Sequence, residues 1–381
     1  ITGGGEVGDR YISIIKQLGI HVEFGSASFI NDKTIEVANK SQKTVVTGKS
    51  FVIATGTIPF IPPINGVEDT YFLNFKDVWE MKSLPKSIAI IGGGPVGCEF
   101  ATFFSGFGSK VTLINSGARI LGREDKSISN LAAEAMDGRS VELVLSGITE
   151  RIWDARGGVY GLEVAVEGRG KQTIAVERIL MATGKRAATE DLGLENVGVS
   201  LDGRKSIQID KLAETNVDGI FAAGDVSGGY QFTHTAHHEG YVAGYNAALL
   251  CKGKRAGYLE IDARVVPRVT FVDPEVASVG MTTEEAKKKF KSVLVGEYPV
   301  AALGRSVTES SSFGLIKVIA DAKTRTVIGG HMIGDSAGEV IHELALAIHE
   351  KTKIDQLASM IHAFPTMAEG VKAAASSAKI V

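Results

Sequence analysis

The 381-residue chain carries 41 Lys and Arg against 44 Asp and Glu, a formal net charge of −3, and 44% of its residues are apolar. That balance, with no long basic run, argues against nucleic acid or an anionic membrane surface as partner, and no apolar run approaches the roughly 18 residues of a transmembrane span. Cys98 and Cys251, its two cysteines, lie too far apart to suggest a disulfide framework or a CxxC zinc site, and no secretory signal is read at the first residues. A reducing, cytoplasmic setting is therefore expected, with both thiols buried as small side chains. The length predicts two or three domains.

In chain order, the first motif is GGGEVG (Gly3–Gly8), which satisfies GxGxxG but has only Ile1 and Thr2 before it. Two residues cannot form the strand that such a phosphate loop requires, so it is expected to be a linker or a chance match in a chain with 45 glycines. RYISIIKQLGI (10–20) reads as a short amphipathic helix. HVEFGSASFI, KTIEVAN and KTVVTGKSFVIATG read as strands, and TIPFIPPINGVED as a proline-rich linker. Then comes KSIAIIGGGPVGCEFATFFSGFGSKVTLIN. Ser87–Ile91 supplies a strand, Gly92–Gly97 the glycine turn, Pro95–Phe107 a helix with proline at its first turn, and Lys110–Ile114 a second strand. This is the complete context for a dinucleotide pyrophosphate at a helix N-terminus. At the end of the second strand an acid would favour NAD. Asn115 stands there instead, with Arg119 and Arg123 downstream. Asparagine still bonds a ribose and does not repel a 2′-phosphate, so NADP or NAD is accommodated, NADP being favoured.

Residues 141–185 read as a strand-rich meander. FVIATG, ILMATG and IFAAGD, ending at Gly56, Gly184 and Asp225, are short apolar strands running into small residues and glycine. Such strands suit a parallel sheet covered on both faces, and their C-terminal ends are where open α/β sheets bind ligands. HTAHHE (His234, His237, His238, Glu239) has a spacing compatible with zinc, but a flavin-side or surface role is preferred and no metal is assigned. From about Ala263 the pattern changes to strands followed by a helix, SAGEVIHELALAIHEK. Its Val340, Ile341, Leu344, Ala345 and Ile348 form a core face, and its His342 and His349 are expected in solvent.

These segments resemble the pyridine nucleotide–disulfide oxidoreductases: the dihydrolipoamide dehydrogenase, mercuric reductase and soluble transhydrogenase group. FVIATGTIPFIPPINGV resembles the family's ATG segment. IIGGGPVGCEFA resembles its NAD(P) loop, and TNVDGIFAAGDVSGGYQFTHTAHHEGYVAGYNAA its second FAD motif. VPRVTFVDPEVASVGMTTEEA resembles the start of its dimerisation domain. The resemblance implies an α/β protein with two Rossmann-like FAD- and NAD(P)-binding domains and a C-terminal α+β dimerisation domain. Their spans would be 1–67 with 186–252 (FAD, incomplete), 68–185 (NAD(P)) and 260–381 (interface). It implies FAD held by Asp225 and Gly224, with contacts from Ala27, Thr55, Gly56, Thr57 and Gln231, Phe232, Thr233 and His234. It implies a nicotinamide cofactor on Gly92, Gly93, Gly94, Pro95, Val96, Gly97, Cys98 and Glu99, with Asn115, Ile148 and Gly184. The implied activity is hydride transfer from NAD(P)H to FAD and on to a small acceptor in a homodimer. Alternatives are a non-catalytic or redox-sensing module, or a dithiol reductase whose cysteines lie outside this chain.

The sequence departs from the family at two places. The family's N-terminal FAD βαβ unit and CxxxxC pair are not found in these residues. The family's disulfide reductases also end with a histidine directly before Pro-Thr and a glutamate five residues later. Here the segment is IHAFPTMAE: Glu369 is present, but the histidine position holds Phe364. His362, two residues early, is the remaining candidate for an acid–base role with Glu369.

Overall fold

The structure is a computed structural model that describes residues 6–381. Gly3, Gly4 and Gly5, and with them most of the first glycine motif, lie outside the described residues. The chain forms two compact units, one of residues up to Ile58 with Arg186–Asp262, the other of Pro59–Lys185 with Ala263–Val381.

The first unit opens with the helix Glu6–Gln17, which begins earlier than its apolar pattern suggests. Ser26–Asn31, Thr34–Ala38 and Lys43–Thr47 follow as an antiparallel meander. Phe51–Ile53 then pairs in parallel with Ile220–Ala222, Phe51 opposite Ile220 and Ile53 opposite Ala222. Ile220, Phe221 and Ala222 are fully buried, as a strand covered on both faces must be. One face packs on Phe29, Ile53, Ile207 and Val226, where Phe29 meets Phe51 edge-on at 5.2 Å. Phe221 packs on the other face against Val242 and Ala243 of the helix Thr233–Cys251. Cys251 is not buried as expected; it is the last residue of that helix and lies exposed.

The second unit contains a four-stranded parallel sheet in the order Arg178–Met181, Ser87–Ile91, Lys110–Asn115, Glu142–Leu145. Its apolar strands are sealed by the helices Pro95–Gly106 and Lys126–Gly138, with Ile88, Ile90, Leu113, Phe104 and Ile128 almost wholly buried. An antiparallel meander, Gly147–Asp154, Tyr160–Val166 and Gly170–Val176, packs on the other face. The same unit holds a six-stranded antiparallel sheet, ordered Arg268–Thr270, Val276–Gly280, Val327–Ile333, Leu315–Asp321, Val293–Pro299, Lys379–Ile380. Ala277, Met332 and Ile316 on one of its faces join Val340, Ile341 and Leu344 of the helix Ala337–His349 and Val371 and Ala374 of the helix Glu369–Ser376. His342 and His349 are exposed, as the helical pattern requires. The proline-rich TIPFIPPINGVED is not all turn: Thr57–Pro59 is a short strand.

Candidate functional site

The parallel register of the four-stranded sheet sets three strand ends side by side: Met181 opposite Ile91, and Ile91 opposite Ile114. Gly92, Asn115 and Gly184 therefore gather at one edge of the second unit. Gly92 turns the chain with φ 118°, and a Cβ there would overlap the Ala182 carbonyl. A Cβ on Gly97 would overlap the carbonyl of Gly92, so helix and strand approach closely only because both positions are glycine. A Cβ on Gly94, by contrast, would meet open space. Gly94 is also the N-cap of the helix Pro95–Gly106, which has no side-chain cap, so its first-turn amides are available to an anion. The residues present thus fit a dinucleotide pyrophosphate.

The Asn115 side chain is engaged by its backbone neighbours. Its Oδ1 accepts from the Gly93 amide at 3.1 Å, and its Nδ2 donates to the carbonyls of Gly117 at 3.0 Å and Arg119 at 2.9 Å. The side chain braces the glycine loop and the following turn. Leu121 adds a bond from its amide to the Gly93 carbonyl at 2.7 Å. Cys98 is buried beneath this loop, its thiol 3.5 Å from the Gly93 carbonyl, and burial, with Glu99 nearby, pushes its pKa up to about 12. It is therefore an inert small side chain at neutral pH. Glu99 accepts from the Phe271 amide at 3.0 Å, and burial raises its carboxyl above the usual range. Ile148, on the neighbouring meander, is 60% exposed.

In the first unit the parallel pair brings the strand ends Thr55–Thr57 and Gly224–Asp225 together. Thr57 Oγ1 donates to Asp225 Oδ2 at 3.3 Å, and Thr55 Oγ1 to the Ala188 carbonyl at 2.8 Å. Gly56 and Gly224 turn with φ of 69° and 79°. Glu239 closes the base of the Asp225 turn, accepting from the Gly224 amide at 2.7 Å and Ser227 Oγ at 3.1 Å; burial raises its carboxyl. This role was not visible in HTAHHE, where Glu239 stood beside three histidines as a possible ligand. His238 instead accepts from the Asp262 amide at 3.1 Å, and among the described residues no cluster of three metal-ligating side chains forms. Phe232 and His234 stack at 5.3 Å, at the start of the helix Thr233–Cys251. Gln231 is half-buried, while Thr233 and Ala27, the latter on the first meander, are exposed.

The C-terminal candidates are not brought together. His362 Nε2 meets the Glu343 carboxylate at 3.1 and 3.3 Å, with its side chain 6% exposed, and its buried Nδ1 has no partner among the described residues. Glu369 turns elsewhere, accepting from the Thr366 amide at 3.1 Å. Glu343, 19 residues from His362 and on another element, was missed by sequence reasoning; its place on the Ala337–His349 helix beside the core face was the available signal. Phe364 stands 78% exposed.

Comparison with known proteins agrees with this geometry. The family model "Pyridine nucleotide-disulphide oxidoreductase" matches residues 5–240, and that family's dimerisation domain matches residues 266–375. A mercuric reductase of Staphylococcus aureus is 34% identical over 96% of this chain, which spans 65% of that enzyme's length, a little under two thirds. A dihydrolipoyl dehydrogenase of Thermus scotoductus is 36% identical over 99% of this chain and 78% of its own length. Among solved structures, the Cu(II) complex of the HOCl-induced flavoprotein disulfide reductase RclA from Escherichia coli aligns with a TM-score of 0.86 at 30% identity, over 97% of this chain and 81% of that one. With a glycine loop at a parallel strand end, a second strand-end site around Asp225 and matches along nearly its whole length, the chain belongs to the pyridine nucleotide–disulphide oxidoreductase family.

Proposed function

We propose that the protein is a flavin-dependent NAD(P)H oxidoreductase that passes reducing equivalents to a small acceptor. The observation that carries this reading is that each unit has its own strand-end site suited to one cofactor. In the second unit, the uncapped helix at Gly94–Pro95 and the tight Gly92–Gly97 packing hold a nicotinamide dinucleotide by its pyrophosphate. In the first, Asp225, steadied by Thr57, and the turns at Gly56 and Gly224 receive the flavin's polyol. The two cofactors, when bound, supply hydride transfer; the chain supplies binding and orientation. The groups that do this are the N-terminal amides of the Pro95–Gly106 helix, the Asp225 carboxylate, and Glu239, which fixes the Asp225 turn from behind.

The acceptor side is read from what the chain presents. An exposed phenylalanine occupies position 364, and His362 has one ring nitrogen on Glu343 and the other buried. A proton relay to thiols at these positions therefore has no accessible imidazole, which favours an acceptor that needs none. The family's dimerisation domain over residues 266–375, together with exposed Val307, Leu346, Ile361 and Phe364, supports a homodimer through this region. No helix among the described residues is long and apolar enough to cross a membrane. The cytoplasmic placement rests on two cysteines that are both free.

The test is anaerobic. The chain is supplied with FAD and mixed with NADH or NADPH, and flavin absorbance is followed. Bleaching by either dinucleotide supports the oxidoreductase. Dinucleotide binding without bleaching points instead to a non-catalytic nucleotide-binding module, and absence of binding removes the reading.

A further inference from the structure

One row of the six-stranded sheet sets polar side chains side by side across its strands. Pairing sets Arg268 opposite Ser278, Ser278 opposite His331, His331 opposite Lys317, and Lys317 opposite Glu297. Directly opposed residues of antiparallel strands share a face, so these side chains form one polar row across five strands. The rows beside it are apolar: Ala277, Met332 and Ile316 on the opposite face, and Val276, Ile333 and Leu315 on the same face.

The row meets the N-terminus of the helix Lys126–Gly138. Lys317, 5% exposed, donates to Asp125 Oδ1 at 2.7 Å and to Thr283 Oγ1 at 3.3 Å, and pairs with Glu297 at 3.0 Å. Asp125, 2% exposed, is the N-cap of that helix, accepting from the Ser127 amide at 3.2 Å, and it also accepts from the Thr283 amide at 2.8 Å. The chain just before it is tied to the glycine loop. Glu124 closes a turn onto the Leu121 carbonyl at 2.8 Å, Leu121 donates to the Gly93 carbonyl at 2.7 Å, and Ser129 Oγ holds the Ile120 carbonyl at 2.7 Å. Asn115 closes the other end of the segment onto Gly93. Residues 116–124 are therefore fixed at one end by the glycine loop and at the other by a buried ion pair whose cation comes from the C-terminal sheet.

We propose that Lys317 is a positioning residue for the nicotinamide dinucleotide: by holding Asp125 it fixes the 116–124 segment that supports Gly93 and keeps the phosphate loop in its binding geometry. This rests on the reading of Gly92–Gly97 as the dinucleotide site. Lys317 touches no residue of the glycine loop itself. Its effect passes through Asp125 and the segment's backbone, a contiguous chain of fixed contacts.

The experiment compares the wild-type chain with Lys317→Met, Lys317→Arg and the double variant Asp125→Asn/Lys317→Met. The double variant leaves no buried unpaired charge and retains a good N-cap residue, so it tests the idea even if Lys317→Met fails to fold. Binding of NADH and NADPH is measured by fluorescence well below each variant's Tm, and amide exchange is followed at Gly93 and Leu121 without ligand. The expected result is a loss of affinity on the order of tenfold for both dinucleotides in Lys317→Met and in the double variant, with faster exchange at both amides and partial recovery in Lys317→Arg. Wild-type affinity and wild-type exchange in the double variant would overturn the proposal. If the wild type binds neither dinucleotide while the exchange of Gly93 and Leu121 still depends on Lys317, the dinucleotide reading fails and the mechanical link stands.

Discussion

Gly97 lies at the closest approach of helix and strand in the second unit, and the first prediction concerns it. A Cβ there would overlap the Gly92 carbonyl, so Gly97→Ala must displace either the helix or the glycine turn. Overpacking of this kind costs about 1–3 kcal/mol, which should appear as a fall of roughly tenfold or more in NAD(P)H affinity by titration, with flavin binding unchanged. Unchanged dinucleotide affinity would mean that the loop does not hold the cofactor. Asn115 yields a second prediction, opposite to the usual expectation for its position. An acid there is associated with preference for NAD, yet here both ends of the amide are engaged, Oδ1 with the Gly93 amide and Nδ2 with two carbonyls. Asn115→Asp would turn a carboxylate oxygen toward the carbonyls of Gly117 and Arg119. It should weaken NADH and NADPH together; a clean switch of the affinity ratio toward NADH would show that position 115 reads the ribose after all. Gly97 was legible in the sequence because its role depends on neighbours a few residues away. The role of Asn115 was not, because it depends on which way an amide points once the 116–121 turn has closed.

The strands and helices were largely legible, because apolar runs and helical spacing report burial directly. The pairing register of the C-terminal sheet was not, since it joins residues far apart in sequence, and the polar row exists only in that register. A trace of it stood in LIKVIAD, where Lys317 is the one cation in an otherwise apolar strand ending at Asp321. The row leads to a third prediction. Burial lowers the pKa of His331, which is 0% exposed and bonds the Met281 carbonyl at 2.9 Å; Asp125, Glu124 and Arg268 face it. For Asp125, burial alone would raise the pKa, but hydrogen bonds from Lys317 and Thr283 outweigh it and hold the carboxyl far below the usual range. Both groups bind fewer protons folded than unfolded, so their stabilisation is complete above the unfolded pKa and is lost as pH falls. The loss from His331 starts below about pH 6.5 and that from Asp125 below about pH 4. One proton of difference gives a slope of up to roughly 1.4 kcal/mol per pH unit. Thermal denaturation of wild type should show a limb of falling Tm beginning near pH 6.5, and His331→Gln should flatten it. A limb unchanged in that variant would assign it to another group.

At the scale of the whole molecule the two units are unequal, and the inequality makes the last prediction. The dinucleotide site sits on a four-stranded parallel sheet with helices and a meander packed against it. The Asp225 site sits on a sheet of only two parallel strands among the described residues, packed by the Phe29 cluster and the helix Thr233–Cys251, and Val52 in that pair is 40% exposed. Parallel strands are ordinarily buried on both faces within larger sheets, and an isolated two-stranded unit is marginal in water. The backbone groups along the free edge of Phe51–Ile53 have no strand partner in that sheet, while Thr55 and Gly56, which follow, are bonded to Ala188 and Thr57 to Asp225. Asp225 itself is better fixed, through Thr57 and through Glu239 behind its turn. Residues 1–381 expressed alone should therefore bind NADH or NADPH with the second unit intact, yet hold added FAD weakly. Dialysis should strip the flavin, and its absorbance should return when FAD is resupplied. Stoichiometric FAD surviving extensive dialysis would show that the Asp225–Thr57 constellation suffices by itself, and that the open edge of Phe51–Ile53 has no bearing on how the flavin is held.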